Sequence, residues 1–208
     1  DHRDLHSFPT RRSSDLDTPV LLRVTTRICH AHGVVETGER KEVELKPYEK
    51  QYQKFVMLPA HARLRHPVVE ERISALREFG RDCPFNRIEA GSDKSIGFVT
   101  SGVSYTYVKE AFPNAPVLKY GLTFPLNTDI ARDFAATVDK LYVVEEGDPY
   151  LEDQLRAAGI KVDHGKDLIG LVGELSVDRV RRAFGLPVED GLKTEVPVPG
   201  RPPALCAG

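Results

Sequence analysis

The chain has 208 residues, 40% apolar and 29% charged, and 29 basic side chains against 31 acidic ones leave a net charge of -2. That balance argues against a surface devoted to nucleic acid or to a membrane face, and no apolar run approaches the ~20 residues of a membrane-spanning helix. Its cysteines, Cys29, Cys83 and Cys206, are three in number and far apart, so the expectation is a reducing, cytoplasmic setting rather than a disulfide framework.

Residues 1–16, DHRDLHSFPTRRSSDL, carry scattered charge and no apolar period. Back-translated, the stretch matches one frame of a widely used short-read sequencing adapter from end to end. It is read as a non-native, adapter-derived segment and set aside from fold reasoning. The natural chain is then expected to begin upstream of Asp17.

Thr18 to Thr26 (TPVLLRVTT) reads as a strand, with Pro19 at a position where no ladder donor is lost. So apolar a strand belongs in a sheet, and it is expected to be the last strand of a preceding domain. Arg27, Cys29, His30 and His32 follow it, beyond the carboxyl end where open α/β sheets carry ligands. Residues 37–53 are charged and aperiodic, a connector that Tyr48, Tyr52 and Phe55 are expected to pin to a neighbour. Val56 to Pro59 reads as a short extended piece. After Pro67, Val69, Ile73 and Leu76 fall on one face and predict a helix to about Phe79, closed by Gly80. Cys83 to Asn86 reads as loop, and Ile88 to Gly91 leads onward.

Ile96 to Val144 organises the chain. Ile96 to Thr100, Val117 to Tyr120 and Leu141 to Val144 are short apolar runs. Between them lie helices expected to start at Ser104 and Thr128 as N-caps, the second with Ile130, Phe134 and Val138 on one face. Short apolar strands alternating with amphipathic helices predict an α/β fold with a doubly wound parallel sheet covered on both faces. Further on, a helix over Tyr150 to Ala158 stops at Gly159, Ile160 to Val162 reads as a fourth strand, and Gly165-Lys166 turns the chain. A helix from Val177 to Phe184 is capped by Ser176, and the five prolines from Pro187 onward mark a linker.

Few residues offer chemistry by themselves. Cys29, His30 and His32 are metal-ligand types, but no second ligand group stands at a zinc-site spacing, so packing or groove-lining is the expectation. Thr100-Ser101-Gly102 at a strand-to-helix turn suits a phosphate, yet it lacks the lysine of a P-loop and the glycine pattern of a dinucleotide fold. Glu145, Glu146 and Asp148 form a carboxylate cluster suited to acid catalysis or Mg²⁺, although such acidic turns are usually solvated. On these grounds alone the chain is a soluble α/β domain with pieces of its neighbours.

Six ordered blocks carry a resemblance. They are TPVLLRVTTRICHAHGVVETGER (18–40), KFVMLPAHARLRHPVVEER (54–72), IGFVTSGVSYTYVKEAF (96–112), VLKYGLTFPL (117–126), LYVVEEGDPYLEDQLRAAGIKV (141–162) and GELSVDRVRRAF (173–184). Together they resemble the alpha subunit of indolepyruvate ferredoxin oxidoreductase, of the 2-oxoacid:ferredoxin oxidoreductase superfamily. The final RPPALCAG resembles the entry to that family's thiamine-diphosphate domain, where a Cys-x-x-Cys-x-His-Arg run is expected; the chain ends at Gly208, one residue short of the second cysteine.

The resemblance implies an enzyme that decarboxylates aryl pyruvates on thiamine diphosphate with Mg²⁺, passes electrons through [4Fe-4S] clusters to ferredoxin, and transfers the acyl group to coenzyme A. It implies a beta subunit as partner. It implies residues 17–40 as the end of an aminopyrimidine-side domain and 41–90 as a connector with one helix. Residues 91–186 become a transketolase C-terminal-like α/β domain and 187–208 a linker to the diphosphate-binding domain, with no catalytic or metal-ligating residue in the segment and cofactor groups downstream. Substrate contact, if any, falls to Arg27, as a bidentate partner of the oxoacid carboxylate, and to His30; the alternative for Arg27 is an ion pair fixing the domain exit. Glu145 and Glu146 become candidates for a subunit or inter-domain contact. A related oxidoreductase acting on pyruvate or another 2-oxoacid, and a non-catalytic interaction or nucleotide-binding module, stay open as alternatives.

Overall fold

The computed structural model of the chain describes residues 20–39 and 49–188. They fall in two compact units divided between Lys50 and Gln51. Residues 1–16, Thr18, Pro19, Tyr48 and the tail from 189, with Cys206, lie outside the described residues.

In the first unit, residues 20–25 form no strand, contrary to expectation, and α1 (Thr26–Cys29) is a single helical turn. Leu21 is 88% exposed and Leu22 75%. A strand is stable only when its backbone groups pair with a neighbour, and the described residues of this unit provide none.

The second unit opens with α2 (Tyr52–Phe55) and α3 (Pro59–Asp82). Tyr52 and Phe55 are more than 60% exposed, so among the described residues neither is buried against a neighbour. The helix expected from Pro67 begins eight residues earlier and runs on past Gly80, with Pro67 inside it. Pro59 takes the first turn, where a missing N–H costs nothing. The good helix formers around Pro67, among them Ala60, Ala62, Leu64 and Arg65, sustain the helix through the one bond that proline removes.

Four strands follow: β1 (Arg87–Glu89), β2 (Gly97–Ser101), β3 (Val117–Tyr120) and β4 (Leu141–Val144), in spatial order β1-β3-β2-β4. β2 is parallel to both β3 and β4, whereas β1, which was not expected as a strand, pairs antiparallel with β3. The helices are α4 (Ser104–Ala111), α5 (Thr128–Ala135), α6 (Tyr150–Ala157), α7 (Lys166–Ile169) and α8 (Val177–Ala183). The expected α/β class with a parallel-dominant sheet is what the chain adopts. The fourth strand expected at Ile160 to Val162 is absent. The chain meets β4 only at Asp163 and His164, whose backbone bonds to Leu141 and Val143 are 2.8 and 3.0 Å, before Gly165 turns it into α7.

Alternation along the strands splits the core in two. Val99, Leu118, Tyr120, Leu141 and Val143 face α5 and α6 through Ala131, Phe134, Leu151 and Leu155. Phe98, Val117 and Val144 face Val108 of α4, Ile169 of α7 and Val180 of α8, and Phe98 lies 4.7 Å from Phe112 and 5.6 Å from Phe184 between ring centres. Each such side chain contributes roughly 1.5–3 kcal/mol on burial.

Two caps differ from expectation. Asn127, not Thr128, caps α5 by accepting from the N–H groups of Asp129 and Ile130, and Ser104 is the first residue of α4, behind an uncapped Val103. Ser176 caps α8 as expected. Asn86 fastens the end of α3 to the loop after β3: its amide donates to the Gly80 carbonyl at 2.7 Å, and its Oδ1 accepts from Gly121 and Leu122 at 2.9 Å each.

Candidate functional site

The chain leaves β2 for α4 on one face of the sheet and leaves neighbouring β4 for α6 on the other. Where adjacent strands send their connections to opposite faces, a crevice opens at their carboxyl ends, the usual ligand position in such folds. The residues after β2 and after β4 are therefore the candidates for function in this unit.

After β4, Glu145 turns inward. It is buried, its two carboxylate oxygens accept from the N–H groups of Leu151 (2.8 Å) and Glu152 (3.1 Å), and it thereby closes the first turn of α6. Burial pushes its carboxyl above the ordinary range, with the two backbone bonds and Lys166 acting against that rise. The Lys166 ammonium donates to the Glu145 carbonyl. Glu152, also buried, accepts from the Lys166 N–H at 2.8 Å and pairs with Arg156 at 2.8 Å. Burial and then the nearby Arg179 lower the Lys166 pKa, while Glu145 opposes them.

Arg179 of α8 holds the adjoining turn, donating to the carbonyls of Ile169 (2.9 Å) and Val172. Gly170 and Gly173 take positive φ of 78° and 89°, and a Cβ on either would come within 2.8 Å of the guanidinium. A shallow pocket of about 200 Å³, partly open solvent, lies between this turn, Lys166 and the Glu145-Glu146-Gly147 segment.

Glu145 is thus a structural anchor and not a contact surface, which corrects the expectation of a subunit or inter-domain contact for it; Glu146 and Asp148 are exposed. Sequence reasoning singled out the acidic cluster but missed Lys166, Glu152 and Arg179, which are distant in the chain. Glycines at 165, 170 and 173 were the available signal, since a Cβ on Gly165 would meet a Glu152 oxygen at 2.1 Å.

In the other unit, Arg27 and exposed Cys29 lie in α1, exposed His30 follows at a turn, and exposed His32 comes just after it. Among the described residues, no group of three or more His, Cys, Asp or Glu side chains is arranged to hold a metal ion. None of their helices is long and apolar enough to cross a membrane.

No protein-family model matches the chain. Among curated proteins it is similar to indolepyruvate oxidoreductase subunit IorA of Thermococcus kodakarensis, with 37% identity over 90% of this chain and 33% of that protein. The same subunit of Methanothermobacter thermautotrophicus is 36% identical over 98% of this chain and 35% of its own length. That of Archaeoglobus fulgidus is 33% identical over 94% and 34%. The resemblance carried by the six sequence blocks is borne out, and the chain spans about a third of the length of these relatives. A solved 2-oxoglutarate:ferredoxin oxidoreductase from Magnetococcus marinus aligns with 61% of this chain and 24% of its own, at 21% identity and a TM-score of 0.45.

Proposed function

We propose, from a likeness to indolepyruvate oxidoreductase subunit IorA along nearly the whole chain, that this segment is the α/β scaffold of a 2-oxoacid oxidoreductase subunit acting on aryl pyruvates. The observation that carries the reading is identity of 33–37% to six relatives that share one name, over 90–98% of this chain. In this reading residues 91–186 form the transketolase C-terminal-like domain, 17–40 end the preceding domain, 41–90 connect the two, and 187–208 link onward.

Thiamine diphosphate with Mg²⁺ supplies the carbanion chemistry, and [4Fe-4S] clusters carry electrons to ferredoxin. Coenzyme A takes the acyl group, a beta subunit completes the assembly, and the enzyme works in the cytoplasm. The groups that hold the cofactors belong to sequence beyond the described residues. Within them, Arg27 binds the oxoacid carboxylate and His30 donates a hydrogen bond to the substrate. Both follow the apolar segment 20–25, and a guanidinium there can hold a carboxylate bidentately.

The test is a substrate panel on the complete two-subunit complex, with coenzyme A and ferredoxin reduction followed for indolepyruvate, phenylpyruvate, pyruvate and 2-oxoglutarate. Preference for the aryl substrates is expected. Turnover confined to pyruvate or 2-oxoglutarate would move the chain to a sister enzyme, and no turnover of any oxoacid would leave a non-catalytic module.

A further inference from the structure

Two basic side chains meet at the shallow pocket beyond β4. Lys166 and Arg179 line it together with Glu146, Gly147, Gly170 and Leu171. Arg179 lies close enough to Lys166 to lower its pKa, so the pocket holds like charges together at a cost. Among the described residues neither cation bonds to a carboxylate. The Lys166 ammonium donates to the Glu145 carbonyl, and Arg179 donates to those of Ile169 and Val172.

The carboxylates nearby are engaged elsewhere. Glu145 is held by the Leu151 and Glu152 N–H groups, Glu152 by Arg156, and Asp167 by His164 at 2.6 Å and the Gly165 N–H at 2.7 Å. Glu146 remains, exposed at the rim. Both cationic head groups carry more N–H donors than these bonds use. Nε and Nη1 of Arg179 serve the two carbonyls, whereas Nη2 has no acceptor among the described residues and, unlike the Thr100 hydroxyl, is not sealed from solvent. Gly170 keeps that edge bare, because a Cβ there would lie 2.8 Å from Nη2.

We propose that this pocket binds the carboxylate of a small aliphatic acid, clamped between the Lys166 ammonium and the Nη2 edge of Arg179. A guanidinium fork matches a carboxylate and holds it in charge-assisted bonds. Ile169, Leu171 and Leu175 in the lining give the hydrocarbon body an apolar wall. A volume of about 200 Å³, partly open solvent, limits the ligand to a small molecule. Glu146 at the rim disfavours a phosphate dianion by like-charge repulsion. The inference does not rest on the aryl-pyruvate reading.

The experiment is amide hydrogen exchange, read by mass spectrometry on the complete two-subunit complex, titrated with sodium butyrate and, separately, with butyramide, its uncharged isostere. Butyrate is expected to slow exchange several-fold in peptides covering residues 145–148 and 166–175, and butyramide to leave them unmoved. Lys166→Gln weakens the butyrate response about tenfold, as loss of a charge-assisted bond should, and Lys166→Arg retains it. Leu171→Glu, at a position 59% exposed and so tolerant of change, abolishes it by setting a fixed carboxylate at the pocket. Equal protection by butyramide, unmoved exchange in both peptides with butyrate, or an unchanged butyrate response in both Lys166→Gln and Leu171→Glu would overturn the site. Turnover in the substrate panel is measured apart, so a failed aryl-pyruvate reading leaves this result standing.

Discussion

Asn127 joins two elements that are far apart in sequence: its side-chain amide donates to the Arg77 carbonyl of α3 at 2.9 Å while its Oδ1 caps α5. Gly80, one turn along α3, makes the approach possible, because a Cβ there would lie 3.1 Å from the Asn127 Cβ. A single buried side chain therefore both starts α5 and docks α3.

Asn127→Ala removes the cap and the docking bond together. A cap contributes about 1 kcal/mol, and the lost bond to the Arg77 carbonyl a further ~0.5–1.5 kcal/mol. Chemical denaturation is expected to show a loss near the sum. Asn127→Asp should recover the cap and not the bond to Arg77, giving an intermediate loss.

Glu145 gives a pH dependence opposite to that of Asp163 and Asp167. Burial holds its folded-state pKa above the ordinary 4.5. The folded chain therefore binds more protons than the unfolded one in that window, and stability falls as pH rises from 4.5 through the raised value. Asp163 runs the other way: the Lys161 ammonium holds its carboxyl below its usual range, so its contribution is present at neutral pH and is lost on acidification. Denaturation of Glu145→Gln from pH 4 to 8 should show the unaltered chain losing ground to the variant as pH rises. A gap that widens in its favour would mean that the two N–H bonds outweigh burial.

Gly91 and Gly147 separate two reasons for glycine. A Cβ on Gly91 would sit 2.3 Å from Asn114 O and Pro116 N, both backbone atoms, so Gly91→Ala forces the chain to move. That should cost about 1–3 kcal/mol or more, as overpacking does. Gly147 has open space but a φ of +71°, so Gly147→Ala meets only the left-handed penalty, about 1–2 kcal/mol. Thermal melts should therefore rank Gly91→Ala as the more damaging.

Arg27→Ala in the complete enzyme is expected to raise the oxoacid KM about tenfold, the effect of losing one ionic contact made equally in ground and transition states. Steady-state kinetics with a parallel melting curve decide the matter. An unchanged KM with a shifted melting temperature would make Arg27 a structural ion-pair partner.

The parallel strands were legible because strands buried on both faces are short unbroken apolar runs: Val117–Tyr120 and Leu141–Val144 lie where expected. β1 was not legible, since Arg87-Ile88-Glu89 offers one apolar residue and acquires its pairing only from β3. The α5 cap was placed one residue late because Asn127 and Thr128 are both capping types, and only packing against α3 selects between them. Glu145 was read as part of an exposed acidic turn because its partner Lys166 stands 21 positions away.

The antiparallel β1 also decides how this sheet meets other chains. It is three residues long, with Arg87 and Glu89 flanking the lone Ile88, and short charged edges make poor templates for strand addition. Past β4, the bridge at His164 already occupies part of the opposite edge before Gly165 turns the chain away. Both borders of the sheet are blunted, so copies crowded together in a cell are kept from zipping into fibres through it.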